Sequence, residues 1–333
     1  MLTLQARDLT ISTRLDGVPA RAISGLSFDL APGKILGLVG ESGAGKTMIG
    51  RAIAQLLPPG FAVTGGSLSF DGEDLVAMPA ARRRALLGRS IAFIPQAPMT
   101  ALNPVRTVGD QLLEAVNAHA KLSRPEAQAR AIGLLERVGI PAPARRMRDY
   151  PFQFSGGMLQ RALIAIALAS SPRLLLADEP TTSLDVIIQD QILSLLLELQ
   201  QDTGMSMILV SHDLAVITEI CDRIVVMYAG QVVEEGATSD IITAPRHPYT
   251  QALLDALPQA GQRGQLHSIR GSPPSLIDVP DGCRFAPRCR HVTDECRVWE
   301  TELIAAGERE HAARCWRLHD IGRSQAWQGS DSA

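Results

Sequence analysis

Residues 40–47 carry side chains whose types and spacing suit the binding of phosphate groups. They read Gly40, Glu41, Ser42, Gly43, Ala44, Gly45, Lys46 and Thr47, which fits the pattern G-x-x-x-x-G-K-S/T between an apolar run and a helix-compatible run. Glycines let successive N–H groups turn toward phosphate oxygens, and the helix start adds positive charge. The pattern predicts that Lys46 reaches the β- and γ-phosphates of a nucleotide and that Thr47 binds Mg²⁺. The alternative is a glycine turn without a ligand.

Two adjacent carboxylates follow a second apolar run. Residues 174–177 are continuously apolar, which is typical of a strand covered on both faces. Asp178 and Glu179 therefore lie at the carboxyl end of a predicted strand, where open α/β sheets bind ligands. Asp178 can hold the hydration shell of Mg²⁺, and Glu179 can polarise an attacking water. In a chain with a phosphate-binding pattern, this pair predicts nucleotide hydrolysis.

Two further segments offer groups to a phosphate. Ser155, Gly156 and Gly157 open a helical run that continues to Leu168, and a small-residue helix start presents bare N–H groups to anions. His212 follows the apolar residues 207–210, so it falls at the same predicted sheet edge as the carboxylates. The alternatives are a simple turn and a histidine with a structural role.

The elements between these segments predict an α/β fold. Short β-rich stretches separated by turn residues precede residue 40, and they predict a small antiparallel sheet that leads into the phosphate loop. Residues 108–150 read as helices, with a capping box at Ser123 and Glu126 and a stop at Gly139. We expect these inserted helices to form a lobe apart from the sheet.

Bulk composition excludes some classes of protein. The chain has 333 residues, 46% of them hydrophobic, and a formal net charge of -3, which gives no electrostatic reason to expect nucleic acid as a partner. No apolar run approaches the roughly 18 residues that span a bilayer, and the first residues do not resemble a signal peptide. We therefore expect a cytosolic protein whose membrane role would come through partners.

Taken in order, the motifs resemble those of an ATP-binding cassette (ABC) ATPase. The resemblance runs from near residue 2 to about residue 258. It rests on the Walker A residues 40–47, Q-loop Gln96, signature Ser155 to Gly157, Walker B residues 174–179, D-loop residues 183–185 and H-loop His212. It implies a P-loop NTPase core with an antiparallel β subdomain, and a helical subdomain at about residues 97–165, within a nucleotide-binding domain of residues 1–258.

Finer features are similar to one branch of that family. Residues 96–104, 154–161, 177–186 and 247–253 resemble the ATPase subunits of dipeptide, oligopeptide and nickel importers, and residues 282–289 resemble the tail of the peptide-importer members. The resemblance implies an ATPase that powers uptake of di- or oligopeptides. The alternatives are a nickel-chelate or other small-solute importer ATPase and, from a different class, a soluble ABC-type ATPase or a redox-responsive regulator.

The resemblance also implies a mechanism and partners. Glu179, His212 and Gln96 would be catalytic, Thr47, Gln96 and Asp178 would hold Mg²⁺, and Asp185 would communicate with the opposite site of a cassette pair. Ser155 to Gly157 would close over ATP bound by the partner. The partners would be a second, homologous ATPase subunit forming a heterodimer, two integral membrane permease subunits and a separate solute-binding protein, with this chain at the cytoplasmic face of the inner membrane.

One family feature is missing near the start of the chain. The family usually stacks adenine on an aromatic ring shortly before the second strand, and the corresponding position here is Thr13 or its neighbour Arg14. Adenine stacking is therefore absent at this position or is supplied by the Arg14 guanidinium.

Four cysteines are concentrated in a C-terminal extension, predicted at residues 259–319 before a flexible tail at 320–333. Cys283, Cys289, Cys296 and Cys315 lack the tight C-x₂₋₄-C pair typical of zinc sites, which favours a 4Fe–4S cluster. Peptide-importer relatives with this pattern carry such a cluster, so the resemblance implies these four ligands. Zinc and free or paired thiols are the alternatives. Cys221 is expected to be a core residue.

Overall fold

The structure is a computed structural model that describes residues 2–118, 122–182, 184–257, 269–299, 301–306 and 310–318. The strands are β1 (Leu4–Leu15), β2 (Val18–Leu30), β3 (Ile35–Val39), β4 (Ala62–Phe70), β5 (Glu73–Asp74), β6 (Ile91–Ile94), β7 (Leu174–Asp178), β8 (Ser206–Ser211), β9 (Arg223–Tyr228), β10 (Gln231–Ala237), β11 (Ile304–Ala305) and β12 (Ala312–Ala313). The predicted flexible tail at 320–333 lies outside the described residues.

The helices lie between these strands along the chain, with five of them in succession from β6 to β7. They are α1 (Lys46–Ile53), α2 (Ala80–Leu86), α3 (Pro98–Ala101), α4 (Val108–Asn117), α5 (Arg124–Arg137), α6 (Pro143–Arg146), α7 (Gly156–Leu168), α8 (Val186–Thr203), α9 (Leu214–Ile220), α10 (Thr238–Thr243), α11 (Pro248–Asp255) and α12 (Asp294–Val298). Within the described ranges, we find no helix with the length and apolar character needed to cross a membrane.

The chain forms two compact units. The first unit draws on the described residues of Met1–Thr3, Leu30–Lys34 and Phe70–Val210, and the second on those of Leu4–Asp29, Ile35–Ser69 and Ser211–Ala333. The phosphate-loop pattern and His212 belong to the second unit. The carboxylate pair and the Ser-Gly-Gly helix start belong to the first.

The first unit contains a parallel sheet and the inserted helices. Strand β7 pairs in parallel with β6 on one side and with β8 on the other, and it is buried along its whole length. The Ser123 and Glu126 capping box begins α5 as predicted, and Gly139, with φ +73°, follows its end. Helix α7 packs against α3, α4 and α5, and it also packs against β6 of the sheet. The helical subdomain at about residues 97–165 stays a prediction.

The second unit begins with a hairpin of β1 and β2. Its two-residue turn, Asp16 and Gly17, has positive φ at both positions, the geometry that matches the twist of paired strands. Inward and outward residues alternate along β1, because one face is buried and the other is solvated.

A second sheet of this unit leads to the phosphate loop. The all-buried strand β3 pairs in parallel with β9, and β9 pairs antiparallel with β10. Helix α9 approaches β3 so closely that a Cβ on Gly37 would lie 2.5 Å from Ile217 Cγ2.

The C-terminal extension joins this second sheet. Strand β12 pairs with β10, and β11 pairs with β12. The Arg314 N–H donates to the Val233 carbonyl just beyond the ladder. These two-residue strands carry no periodicity, so the sequence did not predict them.

Candidate nucleotide-binding site

At two positions in the loop after β3, only glycine fits the backbone conformation and the space available. Gly40 has φ +154°, and a Cβ there would lie 2.2 Å from the Met227 carbonyl oxygen. Gly45 has φ +97°, and its Cβ would lie 2.5 Å from Ile23 Cδ1. Gly45 is the residue before the first turn of α1, so the loop delivers its N–H groups and a helix start to one place.

Lys46 is buried, and its ammonium is held by the loop itself. Nζ donates to the Gly40 carbonyl at 2.6 Å and to the Glu41 carbonyl at 3.0 Å. These two bonds satisfy a charge that would otherwise be costly to bury. Ala44 is also buried, Thr47 is half-buried in the first turn of α1, and Ser42 and Gly43 are exposed. The loop therefore has an exposed main chain at Ser42 and Gly43 and a buried positive charge at Lys46.

Glu41 in this loop is fixed by residues far along the chain. Its carboxylate accepts two hydrogen bonds from the Arg288 guanidinium, at 2.6 and 2.9 Å. Its N–H donates to the Tyr249 hydroxyl oxygen at 2.8 Å. The sequence did not predict either contact, because Tyr249 and Arg288 lie 208 and 247 positions from Glu41 along the chain.

In the first unit, the carboxylate pair lies at the end of β7. Asp178 is buried as the last residue of the strand. Glu179 follows with φ 46°, and its N–H donates to the Val210 carbonyl of β8. Its Oε2 accepts from Gln96 Nε2 at 2.7 Å and from Thr182 Oγ1 at 2.9 Å. The structure thus brings Gln96 and Glu179 together, and it adds Thr182, which sequence reasoning missed.

His212 lies immediately after β8 and is exposed. The residues on either side of it form a turn, since the Asp213 N–H donates to Ser211 Oγ at 2.9 Å. Asp213 then caps α9 by accepting from the Ala215 N–H. The capped turn fixes the backbone that carries the imidazole.

The Ser-Gly-Gly segment forms the start of α7. Ser155 is exposed, and its hydroxyl accepts from the Met158 N–H at 3.3 Å. Gly156 is exposed as the first helical residue. A Cβ on Gly157 would lie 2.7 Å from Ile188 Cγ2 of α8, so α7 and α8 approach closely here.

Asp185 caps α8 next to two exposed apolar side chains. Its carboxylate accepts from the Ile188 N–H at 3.0 Å. Val186 and Ile187 follow with 81% and 72% of their surface exposed. The start of α8 is therefore apolar and exposed.

Comparison with known proteins assigns this arrangement to a family. Residues 23–182 match the ABC transporter family, and residues 233–296 match the C-terminal region of oligopeptide/dipeptide transporters. The dipeptide transport ATP-binding protein DppD of Haemophilus influenzae is 44% identical over 99% of this chain and 100% of its own length. DppD of Escherichia coli is 46% identical over 97% of this chain and 99% of its own. The chain belongs to the ATP-binding proteins of ABC transporters.

A solved ABC structure agrees with this assignment. A dimeric ATP-binding cassette in a post-hydrolysis state, bound to ADP and Pi, has a TM-score of 0.64 and 25% identity, and it covers 71% of this chain and 98% of its own. The predicted family and the α/β P-loop fold class are confirmed. As an ABC ATP-binding protein, the chain is an ATPase coupled to transport. The predicted domain boundaries and the role of each site residue stay predictions.

The position that usually stacks adenine in ABC ATPases has no aromatic ring. Thr13 is buried in β1, and the Arg14 guanidinium donates to the Gly17 carbonyl in the hairpin turn at 3.0 Å. Stacking by Arg14 stays a prediction.

The four cysteines of this ABC protein's extension are not joined in disulfides. Cys296 and Cys315 are buried, and the Cys283 N–H donates to the Cys296 carbonyl at 2.8 Å. Burial raises the pKa of Cys289 to about 11 and that of Cys315 to about 12, with further contributions from the charges of the other cysteines. In the part of the chain that the structure describes, no group of three or more His, Cys, Asp or Glu side chains has a metal-binding arrangement. Cys221 is buried, as predicted.

Proposed function

We propose that this chain is the ATP-hydrolysing subunit of an ABC importer that takes up di- or oligopeptides, held at the cytoplasmic face of the inner membrane. One observation carries the proposal. The similarity to dipeptide transport ATP-binding proteins extends over nearly the whole chain and includes the match at residues 233–296, beyond the general ABC match.

The phosphate loop is the proposed ATP-binding element. Residues Gly40 to Thr47 would surround the phosphates with N–H groups, and Lys46 would exchange its two carbonyl partners for phosphate oxygens. Thr47, Gln96 and Asp178 would hold Mg²⁺, whose charge stabilises the transferring phosphoryl group when bound. The buried carboxylate of Asp178 and the hydroxyl and amide oxygens of the other two suit this cation.

Glu179 is the proposed group that orients and polarises the attacking water. Its Oε2 accepts from both Gln96 and Thr182, which fixes the orientation of the carboxylate, and a carboxylate so held suits the acceptance of a proton from water. His212 is the proposed contact to the γ-phosphate.

The proposed partner cassette would complete each ATP site. The exposed start of α7, with Ser155, Gly156 and Gly157, offers N–H groups to the partner's nucleotide. Asp185, Val186 and Ile187 give the same unit an exposed surface for pairing. Following the family resemblance, we infer a homologous but non-identical partner.

The helical lobe is the proposed contact with two permease subunits, which would receive peptide from a separate solute-binding protein. Met99, Val105 and Phe152 are 61%, 80% and 68% exposed on this unit. Large exposed apolar side chains of this kind suit burial against a partner.

We also propose that the four C-terminal thiols hold a 4Fe–4S cluster. Four cysteines, two of them buried and two half-buried, are the number of thiolate ligands that such a cluster requires. The described residues do not show a metal-binding arrangement, so the four thiols would have to move closer together to bind the cluster. Anaerobic purification with iron and sulfide analysis tests this. A colourless protein with stoichiometric zinc would overturn the proposal.

The transport proposal is tested with the complex isolated from membranes and reconstituted into vesicles with its solute-binding protein. ATP hydrolysis should rise when di- or oligopeptides are added. Stimulation by nickel chelates instead would overturn the peptide assignment, and a chain that never co-purifies with integral membrane proteins would overturn the importer assignment.

A further inference from the structure

The C-terminal extension reaches the phosphate loop through one ion pair. Arg288 lies in the 3₁₀ turn Ala286–Arg288, directly before Cys289. Its side chain is 5% exposed, and it forms a two-point pair with Glu41, whose side chain is 23% exposed. Two-point arginine–carboxylate pairs fix both partners in orientation and are among the strong hydrogen-bonded contacts of proteins.

Arg288 is itself held rigidly by its surroundings. Its Nε donates to the Arg270 carbonyl at 2.7 Å, and Nη1 donates to the Tyr228 hydroxyl at 3.2 Å. Its guanidinium lies 5.6 Å from the Tyr228 ring centroid and 5.9 Å from that of Phe285. Arginine stays protonated in proteins. The side chain is therefore a fixed cation.

Glu41 is the second residue of the loop that follows β3. Its carbonyl accepts from Lys46 Nζ at 3.0 Å and from the Ala44 N–H at 3.1 Å, and its N–H is bound to Tyr249. Any movement of Glu41 would move the carbonyl that holds the lysine. Its carboxylate would also repel a bound triphosphate if nothing neutralised it.

The residues that fix Glu41 lie outside the general ABC match. Tyr249, Phe285 and Arg288 fall within residues 233–296, which match the C-terminal region of oligopeptide/dipeptide transporters, whereas Glu41 falls within residues 23–182. Tyr249 and Phe285 are buried, with ring centroids 5.3 Å apart. The region of residues 233–296 thus supplies a packed support for the start of the phosphate loop.

We propose that Arg288 is a positioning residue of the nucleotide site, which neutralises Glu41 and holds the loop in its phosphate-binding conformation. This proposal rests on the proposed ATP-binding role of residues 40–47. It gives the extension a defined part in nucleotide affinity, whatever the four cysteines hold.

Equilibrium binding of a fluorescent ATP analogue with Mg²⁺ to the full chain tests the proposal. Arg288→Gln should raise Kd about tenfold, equivalent to about 1.4 kcal/mol, because the Glu41 charge is then uncompensated. The increase in Kd should be smaller for AMP than for ATP, because AMP carries less negative charge to be repelled by Glu41. It should also be smaller at high salt, because salt screens the repulsion. Arg82→Gln, which breaks the exposed pair with Glu73, is the matched control and should leave Kd unchanged.

The decisive variant is the double substitution. Glu41→Gln added to Arg288→Gln should return Kd to within about threefold of the wild type, because the repelling charge is gone. If Arg288→Gln does not fold, Arg288→Met is measured instead, since methionine is also uncharged, and it should show the same increase and the same reversal. A wild-type Kd in the Arg288 variants, or an increase that Glu41→Gln does not reverse, would overturn the proposal. A wild-type chain that binds no nucleotide would overturn the proposed function itself.

Discussion

At the scale of single residues, the role proposed for Glu179 can be tested by measuring nucleotide binding and nucleotide hydrolysis separately. The Glu179→Gln variant keeps the size of the side chain, but it removes the negative charge that is proposed to polarise water. We expect turnover to fall by about 10²-fold or more while the affinity for ATP stays within a few-fold of the wild type. Binding and hydrolysis are measured separately on the same preparation.

Glu73→Gln provides the matched control for that experiment. Glu73 is an exposed carboxylate in the same unit, and it is paired with Arg82. Its substitution should change the affinity for ATP and the rate of turnover by no more than about twofold. A Glu179→Gln protein with much weaker ATP binding but normal turnover per bound ATP would contradict the assigned role.

At the scale of secondary-structure elements, the contact between α7 and α8 depends on the missing side chain of Gly157. Gly157→Ala places a Cβ 2.7 Å from Ile188 Cγ2, a methyl group attached at the branch point, so the helices must shift. We expect a loss of about 1–3 kcal/mol in the free energy of unfolding. Gly133→Ala in α5, where a Cβ would meet nothing within 4 Å, should instead stabilise by about 0.5–1 kcal/mol.

The double variant Gly157→Ala/Ile188→Ala separates steric conflict from other effects. Because Ile188→Ala removes the methyl group that the new Cβ would meet, the double variant should lose less free energy of unfolding than the two single variants together. Urea unfolding of the four proteins measures this coupling, and strictly additive losses would show that the clash is not the cause.

Helix α11 gives the fold a pH dependence through its cap, His247. This buried imidazole accepts from the Tyr249 N–H through Nδ1. Burial, and then the charge of Arg314, lowers the pKa of His247 to about 3. The unfolded chain protonates this group near pH 6.5, so it binds more protons than the folded state below that pH. The contribution of His247 to stability is therefore present above pH 6.5 and is lost as the pH falls toward 3.

The variant His247→Asn should remove this dependence, because asparagine caps helices and does not titrate. Between pH 6 and pH 5 the free energy of unfolding of the wild type should fall by up to about 1.4 kcal/mol more than that of the variant. Chemical unfolding at pH 7.5, 6 and 5 measures the difference. Parallel curves for the two proteins would refute this prediction.

The sequence predicted elements and motifs better than it predicted contacts. Strands β3, β7 and β8 were visible as short apolar runs, and the ends of α5 were visible from its cap and from Gly139, because these signals are local. The helix expected at residues 48–57 is shorter, and α1 ends at Ile53 before Gln55 adopts φ 58°. The pairing of β12 with β10 depends on tertiary packing, and a strand of two residues is too short to show a periodic pattern in the sequence.

The candidate site divides in the same way. The phosphate loop and the carboxylate pair could be named from residue types at fixed spacing, and Gln96 could be named from the family resemblance. The sequence could not identify the residues that hold these groups in place, because their types are common along the chain. Only the fold brings Arg288 and Tyr249 to Glu41. It likewise brings Thr182 to Glu179.

At the scale of the whole molecule, the proposed pairing of cassettes depends on the exposed start of α8. In a Glu179→Gln background, ATP should hold two ATPase subunits together because hydrolysis cannot release them. Ile187→Asp should abolish this ATP-dependent association, since a buried unpaired carboxylate is costly, and should leave ATP binding by the single subunit intact. Size-exclusion chromatography with light scattering measures the association.

Ile242→Asp is the matched control for the pairing experiment. Ile242 is an exposed isoleucine on α10 of the second unit, and its change should leave the pair intact. Loss of pairing in both variants would show that added charge, rather than the α8 surface, is responsible.

The two short strands of the extension also determine how the chain tolerates shortening. Strand β10 is an edge strand without β12, and its free N–H and C=O groups would then be a template for another copy of the chain. Buried Glu234 would lose His311, which it contacts at 2.7 Å. A chain cut after residue 299 should therefore precipitate or form oligomers through this edge, even though its phosphate loop and its carboxylate pair are intact.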